Sequence, residues 1–182
     1  METNQKRILG IVGSPRRGGN TEILIDEVLA GAEETGALTE KLILNELNIS
    51  PCQACNACYK NSECIQKDDM QKILEKMNQS DVWVFGTPIY WWGPTAQFKA
   101  FIDRWYGADK DIFEKKKIIL VISLGAGSAH YARHTIGMFK DIIPYKSAEL
   151  VETILALGMN EKGAVKNKPK IMAQARNAWK KC

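Results

Sequence analysis

At 182 residues and 45% apolar, the chain is long enough for one domain with a buried core, and no apolar run approaches the roughly 20 residues of a membrane-spanning helix. The net charge of +4 is uneven: residues 162–182 carry seven Lys/Arg and no acid, leaving 18 basic against 21 acidic in residues 1–161. That mildly acidic body argues against nucleic acid as the partner, and the basic tail reads as the solvated face of a last helix that could also draw in an anionic donor. Ile8 to Val12 is too short an apolar core for a signal peptide, so the expected location is the cytoplasm, where thiols stay reduced.

A first strand is expected over Lys6–Val12. It runs into Gly13-Ser14-Pro15-Arg16-Arg17-Gly18-Gly19-Asn20-Thr21 and then into a helical pattern reaching Thr35, with Gly36 ending it. A strand that turns through glycines into a helix N-terminus makes an anion site, because unpaired N–H groups and the positive dipole end face one point. Ser14, Asn20 and Thr21 add side-chain donors, and Arg16 and Arg17 add charge. Asn20 as a simple helix cap is the alternative, but glycines at 18 and 19 beside two arginines are more than a cap needs. The P-loop lysine is missing, since Gly19-Asn20 stands where Gly-Lys would be, and Gly10 and Gly13 have the wrong spacing for a dinucleotide fingerprint. By elimination the loop suits one terminal phosphate, as on a mononucleotide.

A second strand is expected over Thr39–Leu47, then a cysteine-bearing loop over residues 48–67, then a helix capped by Asp68 with Met70, Ile73, Leu74 and Met77 as its apolar stripe. Val82-Trp83-Val84-Phe85 reads as an interior strand, and a long turn, Gly86-Thr87-Pro88-Ile89-Tyr90-Trp91-Trp92-Gly93-Pro94, leads to a helix burying Phe98, Phe101, Ile102 and Trp105. A fourth strand, Ile118–Ile122, runs into Ser123-Leu124-Gly125-Ala126-Gly127. A helix within Ala132–Ile143 is expected to end at Pro144. A fifth strand follows at Glu149–Leu157, and a last helix starts near Pro169. Strands alternating with helices predict one α/β domain over 1–182, a doubly wound five-stranded parallel sheet of order 2-1-3-4-5 with helices on both faces. Right-handed crossovers would bring the loops after strands one, three and four to one edge. A phosphate site at one end and a planar, amide-lined slot at the other fit flavin mononucleotide. Three consecutive aromatics cannot all face one core. Trp91 is therefore expected beside the flavin and Trp92 at a dimer contact.

These residues carry a resemblance. Gly13-Ser14-Pro15-Arg16 with Asn20-Thr21, Asp68-Asp69-Met70, Gly86-Thr87-Pro88-Ile89-Tyr90-Trp91 and Lys99 with Asp103-Arg104 resemble the NADPH-dependent FMN reductase group of flavodoxin-like proteins over nearly the whole chain. Within that group the chain is most similar to the iron-sulfur flavoproteins. The resemblance implies FMN with its phosphate on Ser14, Arg16, Asn20 and Thr21, beside Arg17 and Gly19 of the same turn. It also implies the isoalloxazine on Thr87, Pro88, Ile89, Tyr90 and Trp91, near Ser123, Gly125 and Ala126. It implies electron relay from NAD(P)H or a protein donor through FMN to a small-molecule or protein acceptor, in a homodimer or tetramer. The cofactor carries that chemistry, so no side chain is assigned as general acid or base, His130 and His134 included.

Cys52-x2-Cys55-x2-Cys58-x5-Cys64 suits a [4Fe–4S] cluster, each iron corner taking one thiolate, and the spacing matches the compact motif of iron-sulfur flavoproteins. Zinc and free or oxidised thiols are the alternatives. The functional alternatives are a cluster-free NAD(P)H-dependent FMN, quinone, azo or nitro reductase, and a non-enzymatic flavodoxin-like electron carrier.

Overall fold

The computed structural model describes residues 5–61 and 63–182; the first four residues of the expected domain and residue 62 of the cysteine loop lie outside them. Five parallel strands, β1 (Arg7–Val12), β2 (Leu38–Ile43), β3 (Val82–Pro88), β4 (Lys117–Leu124) and β5 (Glu149–Leu157), pair in the order β2-β1-β3-β4-β5. This is the expected topology, with the reversal of strand order between β1 and β3.

The strands read as continuous apolar runs because both faces are covered. Leu9, Ile11, Trp83, Phe85, Ile118, Leu120 and Ile122 pack on one face against α3 (Met70–Asn78), α4 (Ala96–Asp103) and α5 (Arg133–Tyr145). Ile8, Val12, Val82, Val84, Ile119 and Val121 pack on the other against α1 (Asn20–Glu33) and α6 (Pro169–Ala178). The two sides differ in bulk. Phe85 stacks among Trp83, Phe98, Phe101, Trp105 and Phe139, at ring separations from 5.6 to 6.4 Å, on the first side. Burying each such ring contributes about 1.5–3 kcal/mol. On the second side Gly10 and Gly86 leave the strands bare, and Cβ atoms there would stand 2.7 and 2.5 Å from Ile25 of α1. That close seat fixes the start of α1 over the β1/β3 boundary. At the far end of α1, Gly31 lies so near the Arg176 carbonyl of α6 that no side chain fits between the helices.

Three local expectations are corrected. Strand β2 stops at Ile43, because Leu44–Glu46 tightens into a 3₁₀ turn that buries Leu44. Pro144 lies inside α5, one residue before its end, so the helix lacks the bond its N–H would have made to Lys140 O and stops one residue later. The cysteine loop contains a short helix, α2 (Ala57–Asn61).

Candidate functional site

Helix α1 starts without a cap. Gly19 occupies the N-cap position and no side chain accepts from the first turn; among the described residues the N–H groups of Asn20, Thr21 and Glu22 meet no acceptor. Asn20 is not a cap, and its amide is not turned to the loop's interior either. Its Nδ2 donates to the carbonyls of Met159 and Glu161 at 3.3 and 2.8 Å, and its Oδ1 accepts from Val165 N–H at 3.0 Å. Asn20 therefore offers the site a backbone N–H. Thr21 Oγ1 lies 2.7 Å from Ser123 Oγ, both buried, which ties the first loop to the end of β4. Ser14 Oγ accepts from Arg16 N–H at 3.2 Å.

Glu22 is the residue that sequence reasoning missed. Its buried carboxylate takes Gly18 N–H at 2.7 Å, Arg17 at 3.0 Å and Lys41 at 2.9 Å. Burial works to raise its pKa, but the hydrogen bonds from Lys41, Gly18 N–H and Arg17 outweigh it and hold the carboxyl at about 2. An acid in the first turn of a helix is ordinary, so only the buried geometry marks this one. Arg17 is drawn towards β2, bridging Glu22 and also Glu46 at 3.1 Å. Arg16 is exposed and reaches the Asn160 carbonyl at 3.4 Å.

The second loop is laced to the first. Gly13 N–H donates to Gly86 O at 2.7 Å, Thr95 Oγ1 donates to Gly13 O at 2.6 Å, and Thr95 N–H donates to Thr87 Oγ1 at 3.1 Å. Thr87 is buried and donates onward to Pro88 O at 2.9 Å, while Ile89 N–H donates to Ser123 O at 3.0 Å. Tyr90 and Gly93 then exchange N–H···O bonds of 2.9 and 3.0 Å across a two-residue turn. Its central residues, Trp91 and Trp92, have φ of +49° and +64°. Both are left-handed, the conformation of a type I′ turn, which favours Asn-Gly and strains a bulky side chain. Trp92 packs on Tyr131, with centroids 5.9 Å apart, whereas Trp91 is 91% exposed. Gly125 and Ala126 of the third loop are partly exposed, and Ser123 before them is buried. The structure thus brings all three expected loops to the carboxyl edge of the sheet. Ser123, Thr21 and Thr87 brace them with their side chains, and the side chain of Asn20 ties the first to the segment after β5.

The cysteines form a second locality. Cys52, Cys55, Cys58 and Cys64 are free thiols lining one small cavity with Arg104, Tyr106 and Gly107. Left-handed Ala54 and Asn56, at φ of +51° and +57°, flank Cys55. Arg104 Nη2 donates to Cys64 Sγ at 3.4 Å, and a Cβ on Gly107 would stand 3.4 Å from Cys58 Sγ and 3.8 Å from Cys64 Cβ. Four soft donors in one cavity fit an iron-sulfur cluster by donor chemistry. Among the described residues, no three potential ligands stand at the spacing of a formed metal site. Helix α4 runs from Thr95, tied to the first loop, towards Arg104, a separation of about 13 Å along the axis. No described helix is long and apolar enough to cross a membrane.

A family model described as NADPH-dependent FMN reductase matches residues 6–160, and the chain belongs to that family. An iron-sulfur flavoprotein of Methanosarcina thermophila is 35% identical over 136 residues, 74% of this chain and 71% of that one. One of Methanocaldococcus jannaschii is 40% identical over 98 residues, 54% of this chain, and the chain spans about half the length of that relative, 51%. Two solved structures share the fold. An NAD(P)H:quinone oxidoreductase from Methanothermobacter marburgensis has a TM-score of 0.74 at 17% identity, with 96% of each chain covered. An FMN-dependent NADH-azoreductase from Bacillus anthracis, in complex with FMN, has a TM-score of 0.73 at 10% identity, covering 96% of this chain and 98% of that one.

Proposed function

We propose that this member of the NADPH-dependent FMN reductase family binds FMN at the β1/β3 boundary and works as an iron-sulfur flavoprotein, with NAD(P)H or a reduced protein as donor. The observation that carries the reading is the uncapped start of α1, whose N–H groups at Asn20, Thr21 and Glu22 stand without acceptors beside Arg16. A phosphate dianion satisfies those groups and the dipole together. Ser14, Arg17 and Gly19 shape the same turn. The isoalloxazine is assigned to Thr87, Pro88, Ile89, Tyr90 and Trp91 and to the backbone of Ser123, Gly125 and Ala126, with the Trp91 ring free to cover it. Bound FMN would supply hydride acceptance and one- or two-electron transfer. The chain's residues bind and orient it: Thr95 holds the first two loops together, and the Tyr90–Gly93 turn presents the aromatic wall.

Cys52, Cys55, Cys58 and Cys64 are assigned to a [4Fe–4S] cluster, which would supply a one-electron store. Their four soft sulfurs in a single cavity and the names of the relatives support this. The second reading, a cluster-free NAD(P)H-dependent reductase of quinones or azo or nitro compounds, is supported by the lack, among the described residues, of three potential ligands grouped as a metal site. A homodimer or tetramer in the cytoplasm, acting on small-molecule or protein partners, completes the proposal.

Anaerobic purification tests it. Flavin absorbance with about four iron and four sulfide per chain is the expected result. Flavin without iron, with steady NAD(P)H turnover, would favour the second reading. A colourless protein that ignores added FMN would overturn both.

A further inference from the structure

A fourth segment closes on the first loop, and it comes from the far edge of the sheet. Leaving β5, the chain first follows the loop after β4: Gly158 N–H donates to Ala126 O at 3.1 Å and Met159 N–H to Leu124 O at 2.9 Å. Asn20 then grips it through three hydrogen bonds, to the carbonyls of Met159 and Glu161 and from the N–H of Val165. Arg16 adds a fourth bond, to Asn160 O. Asn160 fills the space where a side chain on Gly125 would stand. These contacts set Lys162 against Gly18, whose φ is +62°: a Cβ built there would lie 3.3 Å from Lys162 Cε and 3.6 Å from its Nζ.

Charge gives this placement its meaning. The first loop carries two arginines, but Arg17 is held by Glu22 and Glu46 and its charge is matched there. Lys162 takes part in none of the ion pairs among the described residues. A phosphate at the start of α1 carries close to two negative charges, against about half a charge from the helix dipole and one from Arg16. The Lys162 ammonium, set against Gly18, is a further positive charge at the loop. It precedes α6, so it does not belong to that helix's solvated face.

We propose that Lys162 is a phosphate-binding cation of the flavin site and that Gly158–Lys168 is its fourth wall, an inference that rests on the FMN reading above. Asn20 is then a positioning residue: its side chain holds the wall while its backbone faces the phosphate.

The test uses the full chain stripped of flavin, titrated with FMN and with riboflavin, which lacks the phosphate, by flavin fluorescence. In Lys162→Met, FMN should bind about tenfold more weakly, in the range of one charge-assisted hydrogen bond, while riboflavin affinity stays unchanged. Lys162→Arg should recover most of the loss, and the salt dependence of FMN binding should be shallower in Lys162→Met than in wild type. Equal FMN affinity in wild type and Lys162→Met overturns the proposal and leaves the FMN reading standing. Equal losses for FMN and riboflavin overturn it too, because they report a distorted wall. Wild-type protein that binds neither flavin overturns the FMN reading itself and the Lys162 assignment with it.

Discussion

Arg104 closes its guanidinium on both carboxylate oxygens of Asp68, Nη1 to Oδ2 at 2.5 Å and Nη2 to Oδ1 at 3.2 Å, with both side chains almost wholly out of solvent. The pair also holds the cysteine loop, since Arg104 donates to Ser50 O and Cys64 Sγ while Asp68 accepts from the N–H groups of Ser50 and Met70. Burial acts to raise the Asp68 pKa, yet the Arg104 and backbone hydrogen bonds keep it below the usual carboxylate range. Removing one partner strands a buried charge, so Asp68→Ala should cost about 3–5 kcal/mol in urea unfolding. A loss under 1 kcal/mol would show that water reaches Arg104 and that the pair is not a clamp.

Glu22 makes stability depend on acid. Its folded pKa of about 2 lies below its ordinary 4.5, so its contribution is complete above pH 4.5 and disappears as pH falls towards 2. Glu22→Gln should therefore be less stable than wild type by roughly 2–3 kcal/mol at pH 7, and the gap should narrow between pH 4.5 and pH 3. Urea midpoints at those three pH values measure it. A gap of constant size would mean that shape, not charge, is what Glu22 supplies.

The Trp91–Trp92 turn stores strain. Replacing the pair by Asn-Gly relieves two left-handed bulky residues, each costing about 1–3 kcal/mol, so the double variant should melt higher. It should also bind FMN more weakly, because the exposed Trp91 ring is lost. Higher stability with undiminished flavin affinity would detach Trp91 from the cofactor.

Gly107 tests the cysteine cavity apart from its ligands. A methyl group there would meet Cys58 Cβ at 3.2 Å and Sγ at 3.4 Å, tighter than ordinary contact. Gly107→Ala should lower iron per chain while FMN absorbance and the thermal midpoint change little. Unaltered iron content would place the cluster away from this wall.

Much of this arrangement was legible from residue patterns. Apolar strands punctuated by amphipathic helices are local signals, which is why the strand order and the bounds of β5 matched expectation. The turn at Leu44 was not visible, because a run of leucines suits a strand and a buried 3₁₀ turn equally. From the sequence Asn20 looks like a ligand donor, since its actual role depends on carbonyls some 140 residues away that no window of sequence connects. Lys162 was hidden for a different reason: it opens a basic stretch, and composition credits such a stretch to solvent.

Backbone-to-backbone contact between α1 and α6 at Gly31 makes that position a pivot. Helix α1 is a rod about 21 Å long, and Gly31 sits near its rear end. A methyl group wedged there would tip the rod, and its front end, the anion-facing one, would swing out of line with the strand that feeds it. On the FMN reading proposed above, phosphate binding at the front of α1 would then depend on a glycine hydrogen about 16 Å back along the same helix.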